Sequence, residues 1–243
     1  MKYKDIFFDL DNTLWDFDYN SKNVLNSIYE KFDLKKRGVI SKKKFINVYK
    51  NINASLWYKY REGLITKDSL RHQRFFKTLI FFNIENRDLS DEIGNFYIIN
   101  SPSQTKLMEG AKDVLFNLSL YYNLHIITNG FKEVQYIKLK KSGIYSFFKK
   151  IIVSEDVGVL KPNKKIFQYA LKICNTNPQE ALMIGDDFVS DVKGAQSLGI
   201  DQVFFDYKHT MKRSNSTFTI FHLKELENIL IYFNYKIKNR CTK

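Results

Sequence analysis

The sequence predicts an α/β protein: a parallel sheet covered on both faces by helices, with a helical insertion after the first strand. Three observations carry this expectation. Five short apolar runs, at 6–8, 124–127, 151–153, 181–184 and 203–205, read as buried strands. The last four are separated by stretches of helical period, and strand–helix alternation implies parallel pairing with helices on either side. Between the first two strands, from about residue 15 to 105, no strand-like alternation occurs.

Ile6, Phe7 and Phe8 form the first strand, which stops abruptly at Asp9-Leu10-Asp11. The insertion reads as four helices, at 19–32, 41–60, 66–82 and 89–99. Ser41 and Thr66 are N-cap candidates, and Gly63 separates the second helix from the third. Before the second strand, Val114, Leu115, Leu118, Tyr121 and Tyr122 make one helical stripe. After the third strand, Ile166, Phe167, Ala170, Leu171 and Cys174 share the face of a helix over 163–174, with Pro162 at its start. The expected division is a core of 1–15 and 105–243 and an inserted unit of 16–104.

Composition narrows the classes of function. The 243 residues are 44% hydrophobic, enough for one domain with an insertion or for two. The net charge of +13 would suit a polyanion, but Lys and Arg number 12, 8, 10 and 9 over residues 1–60, 61–120, 121–180 and 181–243. This even spread, with 32 Lys to 7 Arg, argues against a nucleic-acid polymer, whose readout favours focused arginine. The runs Lys35-Lys36-Arg37 and Lys42-Lys43-Lys44 read as solvated faces. Cys174 and Cys241 form no disulfide framework or metal knuckle, and His72, His125, His209 and His222 have no ligand spacing. No apolar run has the length of a membrane span, and only three apolar residues separate Asp5 from Asp9, so no signal-peptide core is read there. A cytoplasmic protein without a membrane partner is the expectation.

In a parallel α/β sheet, ligands bind beyond the carboxyl ends of the strands. Here those ends read Asp9-Leu10-Asp11, Thr128-Asn129-Gly130, Ser154-Glu155-Asp156 and Gly185-Asp186-Asp187, with Lys161 ahead of the helix after the third strand. Two carboxylates about 4 Å apart repel by about 4 kcal/mol at an effective dielectric of about 20. A strand end tolerates that only if a cation or a proton separates them. Four segments directing carboxylates, a hydroxyl, an amide and an ammonium to one sheet edge are hard to explain as structural chance.

Four stretches resemble the motifs of the haloacid dehalogenase superfamily of phosphohydrolases, in order and over nearly the whole chain. They are Phe8-Asp9-Leu10-Asp11-Asn12-Thr13, Thr128-Asn129-Gly130, Lys161-Pro162 and Gly185-Asp186-Asp187-Phe188-Val189-Ser190-Asp191. The resemblance implies a Rossmann-like three-layer core and a helical cap of the C1 type inserted after the first strand. It also implies Asp9 as nucleophile, forming an aspartyl-phosphate. Asp11 would be the acid that protonates the leaving oxygen and then the base that takes a proton from water. Mg²⁺ would be held by Asp9, Asp186 and the backbone carbonyl of Asp11. Thr128 and the Asn129 amide would hold phosphoryl oxygens, and Lys161 would neutralise charge on them and on Asp9. Asp191 and Asp187 would orient the metal's waters and Lys161.

Asp11 argues against dehalogenation, since a halide leaves without a proton. Two further stretches are similar to bacterial pyrimidine 5'-nucleotidases acting on noncanonical nucleoside monophosphates. One runs from Thr128 to Phe131 and on through Val134, Gln135 and Leu139; the other runs from Ser154 to Phe167. Leu56-Trp57-Tyr58, Arg61-Glu62-Gly63 and Arg74-Phe75 in the insertion are similar too. The expected substrate is a small phosphomonoester, dUMP, dTMP or UMP, with Trp15, Phe17, Arg61 and Gly63 as specificity candidates. The alternatives are phosphoglycolate or a sugar phosphate and, in a different class, a non-catalytic interaction protein on the same fold. A monomer or homodimer is expected.

Overall fold

A computed structural model describes residues 2–210 and 214–230; Cys241 and the tail after Tyr235 lie outside the described residues. Six strands form one parallel sheet in the order β3-β2-β1-β4-β5-β6. They are β1 (Asp5–Phe8), β2 (Asn123–Thr128), β3 (Phe148–Val153), β4 (Ala181–Gly185), β5 (Asp201–Phe205) and β6 (Phe218–Ile220). The five expected strands are present. The sixth adds to them, because Phe-Thr-Ile is too short and too little buried to give an apolar run. Strand order reverses beside β1, whose partners are β2 on one side and β4 on the other. That switch point is where such sheets bind ligands.

Side chains alternate across the sheet with period two. Ile6, Phe8, Leu124, Ile126, Leu182 and Ile184 face one layer, packed with Val114, Leu115 and Leu118 of α5 (Ala111–Ser119). Phe7, Ile127, Ile152 and Met183 face the other, packed with Ile166, Phe167, Ala170 and Leu171 of α8 (Lys164–Cys174), which follows the single turn α7 (Ser154–Val157). Each of these side chains is removed from water almost completely, worth about 1.5–3 kcal/mol apiece for the large aliphatic and aromatic ones. Two details differ from expectation. The α5 helix stops at Ser119, so Tyr121 leaves the stripe and is exposed. Pro162 precedes the N-cap Asn163 and does not occupy the first helical position.

The chain divides into two compact units, one of Met1–Phe17 with Thr105–Lys243 and one of Asp18–Gln104. The second is all helical: α1 (Phe17–Lys31, its first residue still in the first unit), α2 (Lys42–Arg61), α3 (Lys67–Phe81) and α4 (Arg87–Asn100). Its own core joins Leu25, Ile28, Phe45, Tyr49, Phe75, Leu79, Ile93 and Tyr97. Ser41, Thr66 and Asn86 cap α2, α3 and α4 by accepting from Lys44, Ser69 and Leu89 amides, each cap worth about 1 kcal/mol. No helix among the described residues is long and apolar enough to cross a membrane.

Candidate active site

The site is built at the carboxyl ends of β1, β2 and β4, with a lysine brought in from the loop before α8. Asp9 continues the β1 ladder, its amide donating to the Ile184 carbonyl at 2.9 Å. The chain then turns back through Asn12, whose φ of 60° is a left-handed conformation that asparagine tolerates. The turn places Thr13 fully inside, where its hydroxyl accepts from the Asp186 amide at 3.1 Å and donates to Asp186 Oδ1 at 3.2 Å. The first and fourth strand ends are thereby tied together.

Lys161 is 2% exposed; its ammonium donates to Asp9 Oδ1 at 2.7 Å and to the Ile127 carbonyl at 2.7 Å, and forms an ion pair with Asp191 Oδ1 at 2.6 Å. Its backbone is pinned by the Asn129 side chain, which accepts from the Lys161 amide at 2.7 Å and donates to the Lys161 carbonyl at 3.0 Å. The Asn129 side chain thus fixes the lysine, a job distinct from that expected of its amide. Asp191 comes from the π-helical turn Phe188–Lys193, and its Oδ2 accepts from the Asp187 amide. Gly185 is required here: a Cβ would lie 2.1 Å from Asp191 Oδ2. Asp187 caps the same turn, accepting from the Val189 and Ser190 amides at 2.9 Å each.

The electrostatics are unbalanced. Oxygens of Asp9, Asp186 and Asp191 lie within 4.8 Å of one another, and Lys161 pairs with two of the three. Burial, then repulsion from Asp191 and Asp11, lifts Asp9 to about 7 against the pull of Lys161. Burial and the neighbouring carboxylates push Asp186 well above the ordinary carboxylate range. Burial also raises Asp191, against Lys161. For Lys161 the sign reverses: burial disfavours its charge, but Asp191 and Asp9 outweigh that and hold it protonated. Two buried carboxylates and a half-buried third against one ammonium, with oxygen-only donors, fit a hard divalent cation such as Mg²⁺.

Thr128 is buried, and its hydroxyl oxygen already accepts from the Gly130 amide at 3.1 Å and from Gln135 Nε2 at 2.7 Å. Both acceptor positions are filled, so its proton is left to donate, as binding a phosphoryl oxygen requires.

The Asp11 side chain stands apart from this cluster. Its two oxygens accept from Lys138 and Gln135 of α6 (Lys132–Lys141). Lys138 and Thr13 are not singled out by sequence reasoning. The Gln135/Lys138 spacing of one helical turn is the signal that could have found the lysine. Of the specificity candidates, Trp15 is completely buried in the core, while Phe17 is half-buried against it. Arg61 is the exposed last residue of α2 and Gly63 lies in the exposed turn that follows it, within the helical unit. Glu155 caps α6 by accepting from the Lys132 amide, and Asp156 pairs with the Lys132 ammonium.

Comparisons with known proteins agree with this geometry. The chain is 33% identical over 234 residues to the pyrimidine 5'-nucleotidase YjjG of Escherichia coli, covering 95% of this chain and 99% of that one. It is 32% identical over 232 residues to YfnB of Bacillus subtilis, named as a HAD-hydrolase, covering 94% and 96%. The crystal structure of YfnB bound to magnesium superposes with a TM-score of 0.84, over 95% of this chain and 99% of that one. A glyceraldehyde 3-phosphate phosphatase of Pyrococcus abyssi is 46% identical, but over 99 residues, 40% of this chain and 42% of its own. The sequence profile of the haloacid dehalogenase-like hydrolases matches residues 3–199. Sheet order, motif placement and these likenesses together make the chain a member of the haloacid dehalogenase-like hydrolase family.

Proposed function

We propose that this hydrolase cleaves phosphomonoesters through an aspartyl-phosphate on Asp9, and that its substrates are pyrimidine nucleoside 5'-monophosphates. The observation that carries the chemistry is Asp9 itself: buried at the end of the central strand, 2.7 Å from Lys161 and clustered with Asp186. Asp9 attacks phosphorus in line, and the bond from phosphorus to the leaving oxygen breaks as that oxygen takes a proton from Asp11. Water then attacks the phosphorylated Asp9, gives its proton to Asp11 and releases inorganic phosphate, which restores both groups. Thr128 and the Asn129 amide hold phosphoryl oxygens, and Lys161 offsets charge on them and keeps Asp9 in place. Asp191 and Asp187 position Lys161 and the fourth motif. Mg²⁺, which Asp9, Asp186 and the Asp11 carbonyl would hold, supplies charge neutralisation between the carboxylates and the phosphoryl group.

The substrate class rests on the likeness to YjjG, 33% identical over nearly the whole chain, whereas glyceraldehyde 3-phosphate phosphatases that span nearly as much of it are 26% and 27% identical. The helical unit 18–104 is proposed as the cap that selects the base, through residues including Arg61 and Gly63. The partner is a small phosphate ester, with no nucleic-acid polymer or membrane, and the proposed setting is a cytoplasmic monomer or homodimer. Phosphate release from dUMP, dTMP, UMP, glyceraldehyde 3-phosphate, phosphoglycolate and sugar phosphates, with Mg²⁺ and with EDTA, tests the proposal. Metal-dependent turnover highest on the pyrimidine nucleotides is expected. A higher kcat/KM on a triose or sugar phosphate would overturn the substrate while keeping the chemistry, and no turnover on any ester would overturn both.

A further inference from the structure

Helix α6 directs two buried polar side chains at Asp11. Gln135 is fully buried and Lys138 is 3% exposed, one helical turn apart on the same face. Lys138 Nζ lies 2.5 Å from Asp11 Oδ1, and Gln135 Nε2 lies 2.9 Å from Asp11 Oδ2. The second Nε2 proton of Gln135 goes to Thr128 Oγ1 at 2.7 Å, so one amide group spans two candidate site residues. The space for that amide comes from Gly130, where a Cβ would lie 2.2 Å from Nε2. Lys138 also sits 4.3 Å from the centroid of the Trp15 ring and 5.7 Å from that of Phe17. Burying a lysine costs several kcal/mol unless an opposite charge compensates, and Asp11 supplies that charge. Lys138 is therefore a buried residue on a helix whose other lysines, 132, 140 and 141, are exposed.

We infer that Lys138 and Gln135 are positioning residues that hold Asp11 for proton transfer; this rests on the proposed role of Asp11 as acid and base. An aspartate side chain otherwise samples several staggered rotamers, and a proton donor works only within hydrogen-bond reach of the oxygen it serves. With one oxygen fixed by Lys138 and the other by Gln135, both the position and the plane of the carboxylate are set. Each oxygen keeps a lone pair for the reacting proton. Trp15 acts in this arrangement as the floor under Lys138, a role compatible with its complete burial.

The test compares two esters with different needs for a proton. A nucleoside monophosphate leaves as an alkoxide and needs the acid; 2,4-dinitrophenyl phosphate leaves as a stabilised phenolate and does not. kcat/KM is measured on both for the wild type, Asp11→Asn, Lys138→Met, Gln135→Met and Lys138→Arg, with thermal melts to establish folding. Asp11→Asn is expected to lose about 10²–10⁴-fold on the nucleotide and little on the activated ester. Lys138→Met should show the same selectivity, losing about 10–100-fold on the nucleotide and less than about threefold on the activated ester, with Lys138→Arg recovering part of the loss. Gln135→Met, which also releases the Thr128 hydroxyl, should lose on both esters but more on the nucleotide. If Asp11→Asn is selective while folded Lys138→Met loses equally on both esters, or on neither, and Gln135→Met loses no more on the nucleotide than on the activated ester, the positioning inference is wrong and the role of Asp11 stands. If Asp11→Asn is not selective, the reading of Asp11 as the acid fails, and the inference with it.

Discussion

Strand β1 has a buried carboxylate at its start and another just past its end, and the two are kept in contrasting company. At the start, Asp5 Oδ1 accepts from His125 Nε2 at 2.9 Å and Asn123 Nδ2 at 3.2 Å. His125 is backed on its other nitrogen by Cys174 Sγ at 3.5 Å. Burial depresses the His125 pKa and pushes the Cys174 thiol up to about 12, so at neutral pH both are uncharged there. One carboxylate oxygen, Oδ1, is shared between these neutral donors, while the buried Oδ2 has no hydrogen-bond partner. At the other end, Asp9, Asp186 and Asp191 crowd around Lys161 with more negative than positive charge. The same strand therefore carries, at its start, one carboxylate held by neutral donors and, past its end, three carboxylates crowded on one ammonium. Surplus charge of one sign in a buried place is costly, and it singles out the end proposed to take a cation and, with it, a phosphate ester.

Substitutions that break this contrast should do so in graded fashion. Asp9→Asn is expected to lower kcat/KM by more than about 10³-fold while raising the melting temperature in EDTA, because it removes the nucleophile and one repelling charge together. Enzyme assay and calorimetry on one preparation check both signs. Lys161→Met leaves three carboxylates without their ammonium, and should cost about 3–5 kcal/mol of stability as well as most of the activity, read by urea denaturation with Mg²⁺ absent. His125→Leu at the opposite end should cost about 1–3 kcal/mol by leaving a buried acceptor short of a donor, yet change kcat/KM by less than about threefold.

Acid–base behaviour sharpens the comparison further. Asp9 stands near 7 in the folded protein against an ordinary value of 3.8, so between those pH values the folded state binds more protons than the unfolded one. Stability in EDTA should therefore fall as pH rises from about 4 to 7, by a few kcal/mol, and Mg²⁺ should flatten that slope. Urea midpoints across this range, with and without metal, decide the matter. A slope unchanged by Mg²⁺ would mean that the cluster does not bind the ion.

Much of this contrast is legible in the chain alone, for a physical reason. Parallel strands are buried on both faces, so 6–8, 124–127 and 181–184 show as unbroken apolar runs, and the residues just beyond each run necessarily lie at one sheet edge. Asp9, Thr128 and Asp186 are visible for that reason, and Lys161 through its place before α8. Residues whose burial is decided by distant partners stay hidden. Lys138 sits among Lys132, Lys140 and Lys141 and looks like part of a solvated basic face until Asp11 and Trp15 close over it. Thr13 looks like an ordinary loop hydroxyl, although it ties β1 to the fourth motif. Glu155 and Asp156 look like site carboxylates, and the first residue of α6 claims both, Glu155 by its amide and Asp156 by its ammonium. Trp15 shows the converse case, since the large aromatic named beside the first motif as a specificity candidate lies wholly inside the core.

Phosphoryl transfer to Asp9 is the step on which every assigned role depends. The most direct measurement is rapid acid quench of the enzyme turning over dUMP with Mg²⁺, followed by peptide mass spectrometry. A phosphoryl group on the peptide carrying Asp9, absent from Asp9→Asn and absent when Mg²⁺ is replaced by EDTA, is the predicted result. Full turnover by Asp9→Asn, or a phosphoryl group located on another residue, would contradict it.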